Sequence, residues 1–119
     1  MKKSTATLKP IVIINAHLTA PKGDTVYIEW FHVPESDRRR GIGTSAYKKW
    51  ERSLPKHVKI IQLHSANESD PFWESLGFGW RYDFEYPPAV SSKLYEASRE
   101  MVKGIRGKKT PKPVWLEEP

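Results

Sequence analysis

The 119-residue chain predicts a single α/β domain, a mixed sheet flanked by helices, on three observations. Its segments read in the order strand, strand, helix, strand, helix, strand, helix, with the period of the apolar residues switching along the chain. Proline, glycine and short polar clusters fall between these segments, where turns are needed. The length suits one modest core, and no shift in composition marks a second domain.

The elements follow in chain order. Residues 1–9 are polar and are expected to be frayed or disordered, which leaves 10–86 as the folded core. Pro10 to Leu18 (PIVIINAHL) and Thr25 to Val33 (TVYIEWFHV) are rich in β-branched and aromatic residues, as strands are. The turn chemistry of Thr19 to Asp24 between them predicts an antiparallel hairpin. The second strand is apolar or aromatic on both faces, as a central strand should be. Pro34 ends it, and the polar run Glu35 to Arg40 follows. Gly41 opens a helical pattern with Ile42, Ala46, Tyr47, Trp50 and Leu54 on one face, stopped by Pro55. Val58 to Leu63 is a further buried strand. Asp70 to Leu76 reads as a short helix with Pro71 at its first position and Gly77 as its stop. Phe78 to Phe84 alternates as a strand does. After Pro87-Pro88, Val90, Leu94, Ala97, Met101 and Ile105 lie on one stripe of a C-terminal helix predicted over 87–107. The tail, 108–119, is rich in Pro and Lys and is expected to be irregular.

Composition removes several chemistries. There is no cysteine, which excludes disulfides, thiolate nucleophiles and Cys-based metal sites. His17, His32, His57 and His64 form no short-spaced pair of the kind that binds metal. No apolar run approaches membrane-spanning length, and no signal-peptide apolar region follows the basic start. A cytoplasmic protein without a membrane partner is the expectation. The net charge of +6 suits an anionic partner without choosing among nucleotide cofactor, nucleic acid and acidic protein.

Arg38-Arg39-Arg40-Gly41-Ile42-Gly43-Thr44 lies between a buried strand and a helix. Glycines there bring a ligand close to the backbone. The first turn of the helix offers unpaired N–H groups and the positive end of the dipole. Together they favour an anion, a diphosphate above all, with the arginines adding charge. A Walker loop requires GxxxxGK[ST], which is absent. The GxGxxA match of Gly41 to Ala46 fails as a dinucleotide fingerprint for two reasons: seven residues separate Val33 from Gly41, and no acid follows on the next strand.

The stretch Val33 to Gly43 (VPESDRRRGIG) resembles the acetyl-CoA motif of the GNAT superfamily, a strand and loop leading into Arg/Gln-x-x-Gly-x-Gly/Ala at a helix start. A second block lies downstream in the right order: the strand VKIIQLHS, Asn67, and Phe72 to Phe78 (FWESLGF), which looks like the family's FYexLGF. The resemblance covers roughly residues 10–84. It implies an α/β, GNAT-like fold with a mixed, mostly antiparallel sheet flanked by helices. It also implies a member lacking the usual N-terminal strand and two helices, with an open acceptor face suited to a large substrate.

By this resemblance, Arg38, Arg39, Arg40, Gly41, Ile42, Gly43 and Thr44 would hold the pyrophosphate of acetyl-CoA (coenzyme A). The main chain of Phe31, His32 and Val33 would pair with the pantetheine arm, and an amide near Val33 would polarise the thioester carbonyl. Asn67, Phe72 and Trp73 would line the cofactor. An acceptor amine would attack directly within a ternary complex. Glu29, inside an apolar strand, is the first candidate for the base, its pKa raised by burial; an ion pair with a neighbouring cation is the structural alternative. His32 and His64 are in reserve. Trp73 stands where many family members carry a Tyr that protonates the leaving thiolate; water or a hydroxyl (Tyr82, Ser69 or Tyr47) would substitute, or the acid is dispensable, or catalysis is weak or lost.

From Lys93 to Pro113, seven Lys or Arg against Glu96 and Glu100 carry five of the six net positive charges. The segment reads as a solvated helix face and tail, or as an arm for nucleic acid or an acidic partner. The leading function is an acetyl-CoA-dependent N-acetyltransferase with an amine acceptor, a protein or nucleic acid among the candidates; a homodimer is compatible with it. The alternatives on the same fold are a non-catalytic binding protein and a nucleic-acid-modifying protein.

Overall fold

The computed structural model describes residues 12–33, 41–66, 69–83 and 96–115. Five strands form the main sheet in the order β1-β2-β3-β6-β4: β1 (Ile13–Leu18), β2 (Thr25–His32), β3 (Ile60–His64), β6 (Glu100–Gly104) and β4 (Gly79–Trp80). β1 and β2 make the expected antiparallel hairpin. β2 and β3 are parallel, joined through helix α1 (Ile42–Ser53); β3–β6 and β6–β4 are antiparallel. A crossover helix is what a parallel pair requires. The sheet is therefore mixed and mostly antiparallel, as expected. Helix α2 (Asp70–Ser75) follows β3 with Pro71 in its first turn.

Opposed residues on neighbouring strands share a face. Val26 and Ile28 of β2, Ile61 and Leu63 of β3, and Met101 of β6 face α1 and α2. With Tyr47, Trp73, Leu76 and Phe78 they form the core, each at most 6% exposed. Trp73 is its aromatic node, with ring centroids 4.9–5.9 Å from Phe31, Tyr47, Phe72 and Phe78.

One polar group is built into this layer. The Tyr47 hydroxyl donates to Glu51 at 2.8 Å, and Lys103 of β6 reaches the same carboxylate at 2.6 Å. Burial first, then the Glu51 charge and its hydrogen bond, push the Tyr47 phenol far above its ordinary 10.0. The folded state keeps this proton where the unfolded chain releases it. Stability is thus complete below about pH 10 and falls above it by about 1.4 kcal/mol per pH unit for each such tyrosine. Denaturant midpoints measured across about pH 9 to 11 should show this decline, and a shallower one in Tyr47→Phe; equal slopes would show that Tyr47 is not the group responsible.

Two expectations are corrected. Among the described residues the helix predicted over 87–107 is one turn at 96–98, and Glu100–Gly104 is strand β6. Met101 and Ile105 do reach the core, but β3 has an open edge whose backbone groups need a partner, and β6 satisfies them. Residues 87–95 lie outside the described residues. The single strand predicted over 78–84 divides at Arg81 into β4 and β5 (Tyr82–Asp83); β5 pairs with β7 (Val114–Trp115) of the tail, which is not wholly irregular. Val114 and Trp115 are about half exposed.

Candidate functional site

Two features of β2 shape the site. Asn15 opposes Trp30 while Ala16 opposes Ile28, so Glu29 is an extra residue, a β-bulge. The parallel ladder with β3 also ends there, its last pair being Ile28–Leu63. Beyond that pair β2 runs on to His32 paired only with β1, so the β2–β3 pairing opens at this end. No sequence pattern announced the bulge; the strand is apolar on both sides of it.

At the mouth of the opening stands the N-terminus of α1. Gly41 precedes it with φ +74°, a left-handed conformation that favours glycine. No side chain caps the helix, its first turn holds no acid, and a side chain at Gly41 would meet nothing within 4 Å. The helix dipole and first amides are thus presented without a competing carboxylate. A Cβ at Gly43 would lie 3.0 Å from Val33 Cγ2 and 3.4 Å from Phe72, so glycine there lets the helix start lie directly on the end of β2.

The walls are apolar. Phe31 points to the helix side of the sheet, its ring centroid 5.4 Å from Phe72 and 5.1 Å from Trp73. Phe72 is half-buried at the rim. Trp73, expected to line a cofactor, is 5% exposed and belongs to the core, because its ring fills the space among four other aromatics. Thr44 and Ile42 lie in the first turn of α1. Arg38, Arg39, Arg40 and Asn67 lie outside the described residues.

On the face away from the helices, the bulge places Glu29 beside His17, with Oε1 to Nδ1 at 3.6 Å. Glu29 is 56% exposed, so the burial expected of it is not found. Val26 and Ile28 face the core, so Glu29 follows the strand's alternation onto the opposite face, and its apolar neighbours do not bury it. Trp30 is 57% exposed, and His32 stacks on it at a centroid distance of 6.2 Å. Across the opening, His64 Nε2 lies 2.9 Å from Glu96 Oε2. Burial, then the charges of Glu100, Glu29 and Glu96, push the Tyr27 phenol up, which places these groups in one neighbourhood. Sequence reading missed the Glu96 contact and Tyr27, because the residues come from three separate strands and a turn.

Of the hydroxyls considered for a proton donor, Tyr47 is fully buried against Glu51. Ser69 donates to the Ala66 carbonyl at 2.6 Å and lies 3.0 Å from Ser65. Tyr82 sits in the small β5–β7 sheet. Three of the six described cations of the basic segment are engaged within the fold: Lys103 with Glu51, Arg99 with Asp70, and Arg106 with the backbone carbonyls of Leu54, Pro55 and Val58.

Solved structures share this architecture. Tetrahymena Gcn5 superposes with a TM-score of 0.63 at 18% identity, covering 82% of this chain and 62% of that one. Ard1 from Thermoplasma volcanium gives 0.53 at 18% identity, covering 81% and 64%. A protein from Desulfovibrio desulfuricans assigned to the GNAT family of acetyltransferases gives 0.50 at 16% identity, covering 73% and 55%. The chain has the GNAT fold. It spans less than two thirds of the length of each of these structures. No family model and no curated protein matches the sequence. The GNAT fold accounts for the mixed sheet, the helix between β2 and β3, and the parting of those strands. Among the described residues no helix is long and apolar enough to cross a membrane, and no three His, Asp or Glu side chains gather as metal ligands.

Proposed function

We propose that this chain is an acetyl-CoA-dependent N-acetyltransferase of the cytoplasm, acting on an amine of a macromolecular acceptor. One observation carries the reading: the β2–β3 ladder ends at Ile28–Leu63, and the end of β2 at Val33 lies against the uncapped, acid-free N-terminal turn of α1. A coenzyme A thioester fits the residues there. It has a diphosphate for the α1 amides, an amide-bearing arm for the β2 main chain, and apolar stretches for Val33, Phe31 and Phe72.

Acetyl-CoA, when bound, supplies an acyl group activated as a thioester. The chain's own residues do the rest. The first-turn amides of Ile42, Gly43 and Thr44 would hold the diphosphate; Arg38, Arg39, Arg40 and Asn67, which the family resemblance adds to the set, lie outside the described residues. The main chain of Phe31, His32 and Val33 would orient the arm along β2, and an amide of that stretch would donate to the acyl oxygen. Glu29, exposed at the apex, attracts the cationic acceptor. The exposed Trp30 and Ile13 on the same face support a large acceptor.

The reading as a nucleic-acid binder through the basic segment is less well supported, since Arg99, Lys103 and Arg106 are engaged within the fold. Calorimetry with acetyl-CoA tests the proposal. Binding of acetyl-CoA that free acetate does not compete, together with thiol release on adding amines, is expected; absence of heat would end the cofactor assignment.

A further inference from the structure

Resting on the acetyl-transfer reading, we propose that His64, held by Glu96, is the group that takes the proton from the acceptor amine. Four observations carry this assignment. First, His64 is the residue directly after Leu63, where the β2–β3 ladder ends, so it sits at the apex of the opening. Secondly, its side chain is one-third exposed, between core burial and full solvation. Thirdly, its Nε2 is buried and has a single carboxylate partner, Glu96, 2.9 Å away. That contact is off the axis of an aligned hydrogen bond, as is common before a substrate tightens a site. Fourthly, Glu29 is exposed and contacts His17.

The charged groups around the ring are consistent with one pairing. Glu100, directly opposite His64 on β6, turns its carboxylate to Arg81 at 3.0 Å. Arg99 is held by Asp70 and donates from Nε to the Ser65 carbonyl at 3.2 Å. From β1 and β2, His17 and Glu29 contact each other, and Tyr27 keeps its proton. Glu96 is therefore the carboxylate that serves His64.

The chemistry follows from which nitrogen meets the carboxylate. With Glu96 on Nε2, the neutral ring carries its hydrogen on Nε2 and its lone pair on Nδ1. An ammonium at the apex passes one proton to Nδ1; the N–H electron pair stays on the acceptor nitrogen as the lone pair that makes it nucleophilic. The ring becomes an imidazolium whose charge Glu96 compensates. Glu96 is a positioning residue, acting through the ring.

The test uses the full chain, with butylamine and poly-lysine as acceptors, His64→Gln and Glu96→Gln as variants, and acetyl-CoA calorimetry as the check on folding and donor binding. His64→Gln should lower kcat about 100-fold with acetyl-CoA affinity unchanged. It should also remove the rise of kcat/KM through the pH range in which an imidazole loses its proton. Glu96→Gln should lower kcat by a smaller factor. Ring nitrogen NMR of the wild type, a readout independent of turnover, should place the hydrogen on Nε2, and Glu96→Gln should mix the two tautomers. Wild-type kcat in His64→Gln, hydrogen on Nδ1 in the wild type, or donor binding without turnover on either amine would each overturn the assignment while leaving the donor site standing. A wild type that binds no acetyl-CoA would overturn both.

Discussion

Gly41→Glu is expected to weaken acetyl-CoA binding by about 30-fold or more, the equivalent of about 2 kcal/mol for a like charge set at the positive end of a helix dipole. The position is open, so the new carboxylate meets no steric obstacle and stands among the first-turn amides it would satisfy. The backbone is a separate matter. With φ at +74°, any L side chain there costs about 1 kcal/mol of folding stability. Gly41→Ala carries that strain without the charge, and the comparison of the two variants by calorimetry isolates the electrostatic part. Gly41→Ala should bind within a few-fold of the wild type. Equal losses in the two variants would mean that backbone conformation, and not the anion site, sets the affinity.

Gly104→Ala should be the most damaging small substitution for stability. A Cβ there would lie 2.3 Å from the Lys108 carbonyl oxygen and 2.5 Å from that of Lys109, both backbone atoms. The chain folds back at this point: Gly104 N–H donates to Thr110 Oγ1 at 3.1 Å, and Ile105 N–H donates to the Lys59 carbonyl at 2.9 Å. A methyl group can be accepted only by moving the turn away from the end of β6. Overpacking of this kind costs about 3 kcal/mol, which for a chain of this size lowers Tm by about 10 °C. Thermal unfolding followed by circular dichroism would measure it. A Tm within about 2 °C of the wild type would show that the 105–110 turn gives way freely.

Much of the architecture was legible in the residues. The hairpin turn at Thr19 to Asp24, the glycine start of α1 and the Pro71 start of α2 are local signals, and each element formed within a few residues of its expected bounds. The apolar sets also fell where periodicity put them: Tyr47 on the buried side of α1, Ile61 and Leu63 on one side of β3. Met101 and Ile105, spaced four apart, fit a helix stripe, and both are buried, yet the segment between them is a strand. Spacing alone cannot separate the two when a short segment carries few apolar residues. The open edge of β3 decided it.

The site divides in the same way. The glycine start of α1 could be read directly, because glycines, a helix start and the absence of acids are consecutive in the chain. The surroundings of Glu29, His64 and Trp73 could not. Glu29 looked buried because its neighbours are apolar, but a bulge depends on how β1 registers against β2, and that is invisible in one strand's residues. Trp73 looked like a cofactor contact from its motif, whereas it is surrounded by four rings, of which Phe31 and Tyr47 come from distant elements. The sequence by itself determined the order of the elements from β1 to α2 and the glycine start of α1, all properties of neighbouring residues. Only the tertiary structure decided where β2 and β3 part, which way Glu29 turns, and that His64 meets Glu96. Those depend on strand register and on contacts between residues far apart in the chain, which no local pattern encodes.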